Sequence, residues 1–325
     1  MTVDTSLLDE LLEGVEGGDR RSLARLMSVV EEGGEGFRYL SSKMGVGHGG
    51  SYSIGITGAP GAGKSTLTDA LVGEVLASGS RVAVIAVDPS SPFTGGAILG
   101  DRVRLREEHA RSTDVFVRSL ASRMHLGGLA LAVPGMVRAL DSGGWPIVLI
   151  ETVGVGQSEV AIARSADTTI VVVNPGWGDE VQANKAGLLE IADLLVVNKS
   201  DRDGAESTVR DLERMLHLGA EREWTPPIVR TVAADGGGVD ELWIKIGEHR
   251  QFLEQSGLLG QRRGESRINE MHERIQVKLA RELRSVETGS GAEILLRVAS
   301  GDLDPNSAAE RFVELLGKRL DEFDQ

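Results

Sequence analysis

The amino-acid sequence predicts an α/β fold of three layers, a mostly parallel sheet covered by helices on both faces. Three observations predict it. Short runs of β-branched and aliphatic residues recur through the middle of the chain, longer segments with helical apolar spacing separate them, and the runs are apolar at nearly every position. Strands that are buried on both faces lack the in-out alternation of a half-exposed sheet, and helices placed between them are the connections that parallel strands need.

The elements follow in order. From Ser6 to Tyr39 apolar residues recur at helical spacing, with Gly17-Gly18 and Gly33-Gly34 as breaks, which predicts a small helical segment over residues 1–45. The Gly-rich stretch Met44 to Tyr52 leads into the second unit, residues 46–245. There the runs at 51–57, 81–87, 114–118, 146–151, 168–173, 193–197 and 227–231 predict parallel strands. Beyond Val239 the pattern is helical, with apolar stripes and dense charge from Asp240 to Ser256, Ser266 to Val286 and Pro305 to Phe323. Residues 246–325 therefore read as a C-terminal helical extension. Its stripes, as in INEMHERIQVKLARELR, call for a cover, and a second subunit is the simplest one.

Composition narrows the function. At 325 residues with 41% apolar content, the chain can bury a sizeable core. Forty-nine acidic against 35 basic residues give a formal charge of -14, which opposes nucleic acid and anionic membrane surfaces as partners. The absence of cysteine excludes disulfides, thiolate zinc sites and cysteine nucleophiles. The first residues are acidic and amphipathic, and no apolar run reaches 18 residues, so a cytoplasmic protein is expected.

Directly after the first predicted strand stands Gly58-Ala59-Pro60-Gly61-Ala62-Gly63-Lys64-Ser65, a full GxxxxGK[ST] match, followed by Thr66 and a helical run. Strand, glycine loop and helix are in the order that a phosphate-binding P-loop requires. Its glycines let backbone N–H groups curl round phosphate oxygens, and the helix presents its positive end to them. Lys64 is expected to reach the β- and γ-phosphates, Ser65 to ligate Mg2+, and Thr66 to bond the α-phosphate. The chain thus reads as a three-layer P-loop NTPase.

The sixth predicted strand ends in Asn198-Lys199-Ser200-Asp201, an NKxD pattern. A carboxylate at Asp201 can accept from both guanine N1–H and N2–H, whereas adenine offers no donor at N1 and would leave the charge unpaired. Lys199 would cover the base plane. GTP and GDP are therefore the expected nucleotides, and hydrolysis of GTP the expected reaction. The companion base loop has Val232-Ala233-Ala234 where a Ser-Ala-Lys type of sequence is usual, so its match rests on position and backbone N–H groups. The fourth strand runs into Glu151-Thr152-Val153-Gly154, a DxxG pattern with Glu for Asp: the carboxylate is expected to hold Mg2+ through water and Gly154 to meet the γ-phosphate. Val155 follows, not the glutamine that often orients the attacking water, so intrinsic hydrolysis should be slow. Asp88 and Asp101 are further candidates for the metal ion or the water. Each also has a structural reading, Asp88 as a strand end before Pro89 and Asp101 as a helix cap before Arg102.

Taken together, GAPGAGKST, AVDPSSPFTGGAILGDR, RSLASRMHLGGLA, ETVGVGQSEV, NPGWGDEVQANKAGLLEIAD and VVNKSD resemble the MeaB/ArgK (MMAA-type) family of P-loop GTPases, over about Arg20 to Leu320. The resemblance implies a chaperone of an adenosylcobalamin-dependent acyl-CoA mutase, chiefly methylmalonyl-CoA mutase, that gates cofactor loading and protects the enzyme. It also implies a homodimer through the C-terminal helices, Asp88, Asp101 and Glu151 as active-site acids, and an additional switch around Gly176 to Lys185. Two alternatives compete: an ATP-dependent kinase linked to amino-acid transport, against which NKSD argues, and a nickel-insertion type of GTPase. The latter needs a Cys/His cluster, and the six histidines show no paired ligand spacing.

Overall fold

The computed structural model describes residues 4–47, 49–89, 105–122, 128–152, 165–176, 190–218 and 223–321. Seven parallel strands form one sheet: β1 (Tyr52–Gly58), β2 (Val82–Pro89), β3 (Val115–Ser122), β4 (Ile147–Thr152), β5 (Thr168–Val173), β6 (Leu194–Asn198) and β7 (Ile228–Thr231), in the order β3-β2-β4-β1-β5-β6-β7. The described helices are α1 (Thr5–Glu16), α2 (Arg20–Glu32), α3 (Gly34–Met44), α4 (Lys64–Ala77), α5 (Glu107–Arg111), α6 (Gly128–Ser142), α7 (Ala205–Leu218), α8 (Val239–Ser256), α9 (Leu258–Thr288), α10 (Ala292–Ala299) and α11 (Pro305–Asp321). None is long and apolar enough to cross a membrane among the described residues. All seven expected strands form, and the expected three-layer α/β architecture is the one observed.

The sheet explains its own composition. Alternate residues of β1, β2, β4, β5 and β6, such as Ile54, Val84, Leu149, Ile170 and Val196, join α4 and α8 in one core. The intervening residues pack against helices on the opposite face: Ile85, Val87, Val148 and Ile150 join α1, α2, α3 and α6, while Val171, Val173, Leu195 and Val197 join α7. Both parities are buried, so the strands read as unbroken apolar runs. Close helix approach matters on the α6 side, where a Cβ on Gly135 would stand 2.8 Å from both the Phe37 ring and Val30.

The chain divides into two compact units, the first reaching Ile268 and the second beginning at Asn269. In the first, the strand ends opposite the P-loop are fastened by partly buried ion pairs. Arg262 grips Asp193 with two hydrogen bonds of 2.6 and 2.8 Å, and Arg263 grips Asp167 with two of 2.8 and 2.9 Å. Asp167 also accepts from Ser53 N–H, and Asp193 from Thr169 N–H. The carboxylates thus tie the starts of β1 and β5 to α9, and these two-pronged arginine pairs are the strong kind. In the second unit, Arg319 of α11 pairs with Glu282 of α9 at 3.0 Å around a small core of Val286, Ala308 and Phe312. The helix predicted to start at Ser266 begins at Leu258, because Gly257 in the left-handed region ends α8 at once and α9 starts directly after it. Helix α10 has no sequence-based counterpart.

His249 of α8 is fully buried beside these pairs. Its Nδ1 hydrogen-bonds Thr168 Oγ1 at 2.8 Å, and the Trp224 ring lies against it, centroids 4.9 Å apart. Burial lowers its pKa to about 4, with the nearby Asp193 carboxylate offsetting part of the effect. The folded protein therefore refuses a proton that the unfolded chain takes up below the ordinary value of about 6.5. The stabilisation is complete above that value and is lost as the pH falls toward 4, by about 3 kcal/mol in all. Urea unfolding followed by circular dichroism at pH 7 and pH 5 tests this. His249→Gln, which cannot titrate, should lose about 2 kcal/mol less than the wild type between the two pH values; equal losses would contradict it.

Candidate nucleotide site

The phosphate loop is shaped by three glycines. Gly58 ends β1 with φ +133°, and a Cβ there would stand 2.0 Å from the Val172 carbonyl oxygen of β5. No other residue fits that exit from the sheet. Gly61 and Gly63 also lie at positive φ, +71° and +92°, and bend the loop into the start of α4. No side chain caps α4, so the N–H groups of its first turn face outward at the positive end of the helix, an arrangement made for an anion. The loop holds this form by its own contacts: Ala59 N–H donates to Val172 O at 3.2 Å and Ala62 N–H to Ala59 O at 3.2 Å. Lys64 is buried and folds back over the loop, its Nζ donating to Gly58 O at 2.7 Å and Ala59 O at 3.1 Å. Pro60 and Thr66 are exposed on the loop and the first turn of α4.

Strand register brings the carboxylate to this loop. Glu151 lies opposite Ile56 of β1 and Ala86 of β2 at the C-terminal edge of the sheet, and it is 1% exposed. Its Oε1 accepts a hydrogen bond from Ser65 Oγ. A hydroxyl and a carboxylate side by side beside a phosphate cradle are the hard oxygen donors that Mg2+ prefers. Asp88 is two residues past Ala86, so its backbone reaches the same edge. Asp101 and Gly154 fall outside the described residues, as do Val155 and Lys185.

Asn198 joins this loop to the other half of the site. At the end of β6 its Nδ2 donates to Ala62 O at 2.8 Å, while its Oδ1 accepts from Thr231 Oγ1 and from Ala233 N–H, each at 3.1 Å. Lys199 sits at φ +57°, the only non-glycine residue in the left-handed region among the described residues, and its Nζ donates to Gly61 O at 2.7 Å. A strained backbone at a shared corner is where function concentrates. Ser200 N–H closes the turn on Thr231 O at 3.1 Å, and Asp201 follows, exposed. The 232–234 loop is a small hairpin set by the Val232 bridge to Gly237. Ala233 is buried with its N–H committed to Asn198, and Ala234 is exposed at the tip.

The structure therefore brings together Gly58 to Ser65, Glu151, Asn198, Lys199 and Ala233. The motifs did not identify Thr231, whose hydroxyl holds Asn198, nor Asp69, a buried carboxylate of α4 bonded to Arg106 and His109. Asp69 left one trace in the sequence, a carboxylate four residues after Ser65 with Leu67 before it and Ala70, Leu71 and Val72 after it.

Comparison with known proteins agrees with this geometry. The profile of a family described as Methylmalonyl Co-A mutase-associated GTPase MeaB matches residues 23–288. A Pyrococcus abyssi protein with a GTPase name is 46% identical over 320 residues, 97% of this chain and 98% of its own. A Mus musculus protein named Methylmalonic aciduria type A homolog, mitochondrial, is 31% identical over 96% of this chain and 80% of its own. A solved structure described as an LAO/AO transport system kinase is 29% identical, with a TM-score of 0.73 over 98% of this chain and 100% of that one. The chain belongs to the MeaB family of P-loop GTPases.

Proposed function

We propose that the chain binds GTP with Mg2+, hydrolyses it to GDP and phosphate, and uses the nucleotide state to regulate an adenosylcobalamin-dependent acyl-CoA mutase, methylmalonyl-CoA mutase foremost. The observation that carries the nucleotide reading is the junction at Asn198, where the phosphate loop and an NKxD turn meet through one side chain. Asp201, exposed next to that turn, is the group to accept from guanine N1–H and N2–H, and the Ala234 N–H at the hairpin tip suits the base carbonyl. An ATP-dependent kinase would have no use for this carboxylate.

In the reaction Lys64 leaves the loop carbonyls for the β- and γ-phosphate oxygens and stabilises charge that grows there. Ser65 and Glu151 would hold Mg2+, Glu151 through water. Mg2+ held there would supply positive charge to offset the negative charge of the phosphate oxygens. Asp88 and Asp101 would hold the ion or orient the attacking water, and Gly154 would meet the γ-phosphate. With Val155 in the position after that glycine, the chain's own hydrolysis is slow and a partner accelerates it.

The family description supports a mutase as that partner. Support for a homodimer comes from α9, where Ile268, Met271, Ile275, Leu279 and Leu283 recur every three or four residues and are at least 38% exposed. One apolar stripe of this length fits a matching helix of a second copy. The chain's acidic balance, and the absence of a helix long and apolar enough to cross a membrane among the described residues, fit a cytoplasmic protein that binds neither nucleic acid nor membrane.

Two measurements test the proposal. Single-turnover hydrolysis by Lys64→Ala should be abolished, because electrostatic stabilisation is the main resource of this chemistry; hydrolysis at the wild-type rate would remove the loop from the site. The tagged protein, purified from its native cell with GDP or a non-hydrolysable GTP analogue, should retain a cobalamin-dependent mutase. Recovery of no mutase with either nucleotide would contradict the chaperone role.

A further inference from the structure

The pairing of β1 with β4 ends at Ile56 and Glu151, while β1 runs on beside β5 as far as Gly58 and β4 beside β2 as far as Thr152. The two central strands thus part just where the phosphate loop and the DxxG-type segment begin. On the α4 face of the sheet, the bond between Ser65 and Glu151 joins the two sides of this parting. Successive side chains of a strand point to opposite faces, so Thr57 and Thr152, each one residue further on, lie on the other face. There Thr152 Oγ1 donates to Thr57 Oγ1 at 3.2 Å, with the Ile56 carbonyl oxygen at 3.4 Å as a second acceptor for the same proton. Both threonines are fully buried.

Their neighbours on this face are aliphatic: Val87 of β2, Val148 and Ile150 of β4, and Val171 and Val173 of β5. Valine has nearly the shape of threonine and would fill both positions with no hydroxyl to desolvate. A neutral hydrogen bond adds little net stability over such an apolar pair, so packing does not account for the two hydroxyls. What they add is direction. Backbone pairing holds Glu151 at Ile56, and the hydroxyl contact holds the chain one residue later, against the root of the phosphate loop.

We infer that Thr152, through Thr57, is a positioning residue for Mg2+: the hydroxyl pair keeps the end of β4 in register with the phosphate loop, so that the Glu151 carboxylate stays within reach of Ser65. The inference rests on the reading of Ser65 and Glu151 as the Mg2+ holders proposed above. It separates the metal from the nucleotide, because the phosphate loop and the NKxD turn hold GDP by their own groups while the hydroxyl pair acts through Glu151.

The test follows release of a fluorescent GDP analogue from the full chain across a Mg2+ titration. In the wild type, release should slow as Mg2+ rises. In Thr152→Val the Mg2+ concentration for half of that effect should rise about three- to ten-fold, the equivalent of one lost hydrogen bond, while release without Mg2+ stays within about two-fold of wild type. Thr152→Ser, which keeps the hydroxyl, should stay within about two-fold of the wild-type midpoint. Adding Thr57→Val to Thr152→Val should bring no further rise, since both changes break the same contact. Thr57→Val alone serves if Thr152→Val does not fold. A wild-type midpoint in the valine variant, an equal rise in the serine variant, or a double variant whose rise is the product of the single ones would overturn the inference. Glu151→Gln is run beside them. If it loses the Mg2+ effect while Thr152→Val keeps the wild-type midpoint, this inference alone falls; if Glu151→Gln keeps the wild-type response, the assignment of Mg2+ to Glu151 falls and takes the inference with it.

Discussion

The side chain of Asn198 is the joint on which the site depends. The phosphate loop and the NKxD turn come from separate strands, β1 at the centre of the sheet and the β6–β7 pair at one edge, with β5 between them. Strand pairing fixes the strands, and side chains join the loops beyond them. Asn198 reaches both, with its amide nitrogen on Ala62 O and its oxygen on Thr231 and Ala233. An amide is the one group that suits this place, since it donates on one side and accepts on the other without carrying charge. Lys199 then adds a second strap to Gly61 at the cost of a left-handed backbone.

The opposite edge of the sheet is held by charge. Asp167 and Asp193 stand just before β5 and β6 and are gripped by Arg263 and Arg262 of α9. Their other oxygen contacts reach the N–H groups of Ser53 and Thr169, so the same two carboxylates fix three neighbouring strands. Strand β6 is thus held at its start by the Arg262–Asp193 pair and at its end by Asn198. Burying His249 neutral among these charges is part of that arrangement.

Much of this was legible in the sequence because it is local. The β5 run at 168–173 is the observed strand, since a buried parallel strand advertises itself by uninterrupted β-branched residues. The P-loop was legible for the same reason: its glycines are consecutive constraints on one short backbone segment. Long-range partnerships were not. Nothing near Asp69 in the sequence announces Arg106 and His109, and nothing near Arg262 announces Asp193, 69 residues away. The first turns of α9 were missed because Gly260 and Gly264 dilute a helical signal that tertiary ion pairs sustain. Glu151 was found by its place at the end of a strand, yet its bond to Ser65 depends on sheet register, which no local pattern encodes.

If one amide unites the two halves of the site, its removal should damage both functions together. Isothermal titration calorimetry of Asn198→Ala with GDP and with ADP measures this directly. The account predicts that GDP affinity falls at least about ten-fold, from the loss of three hydrogen bonds, and that the preference for GDP over ADP shrinks with it. GDP affinity within about two-fold of wild type, with the preference intact, would contradict it.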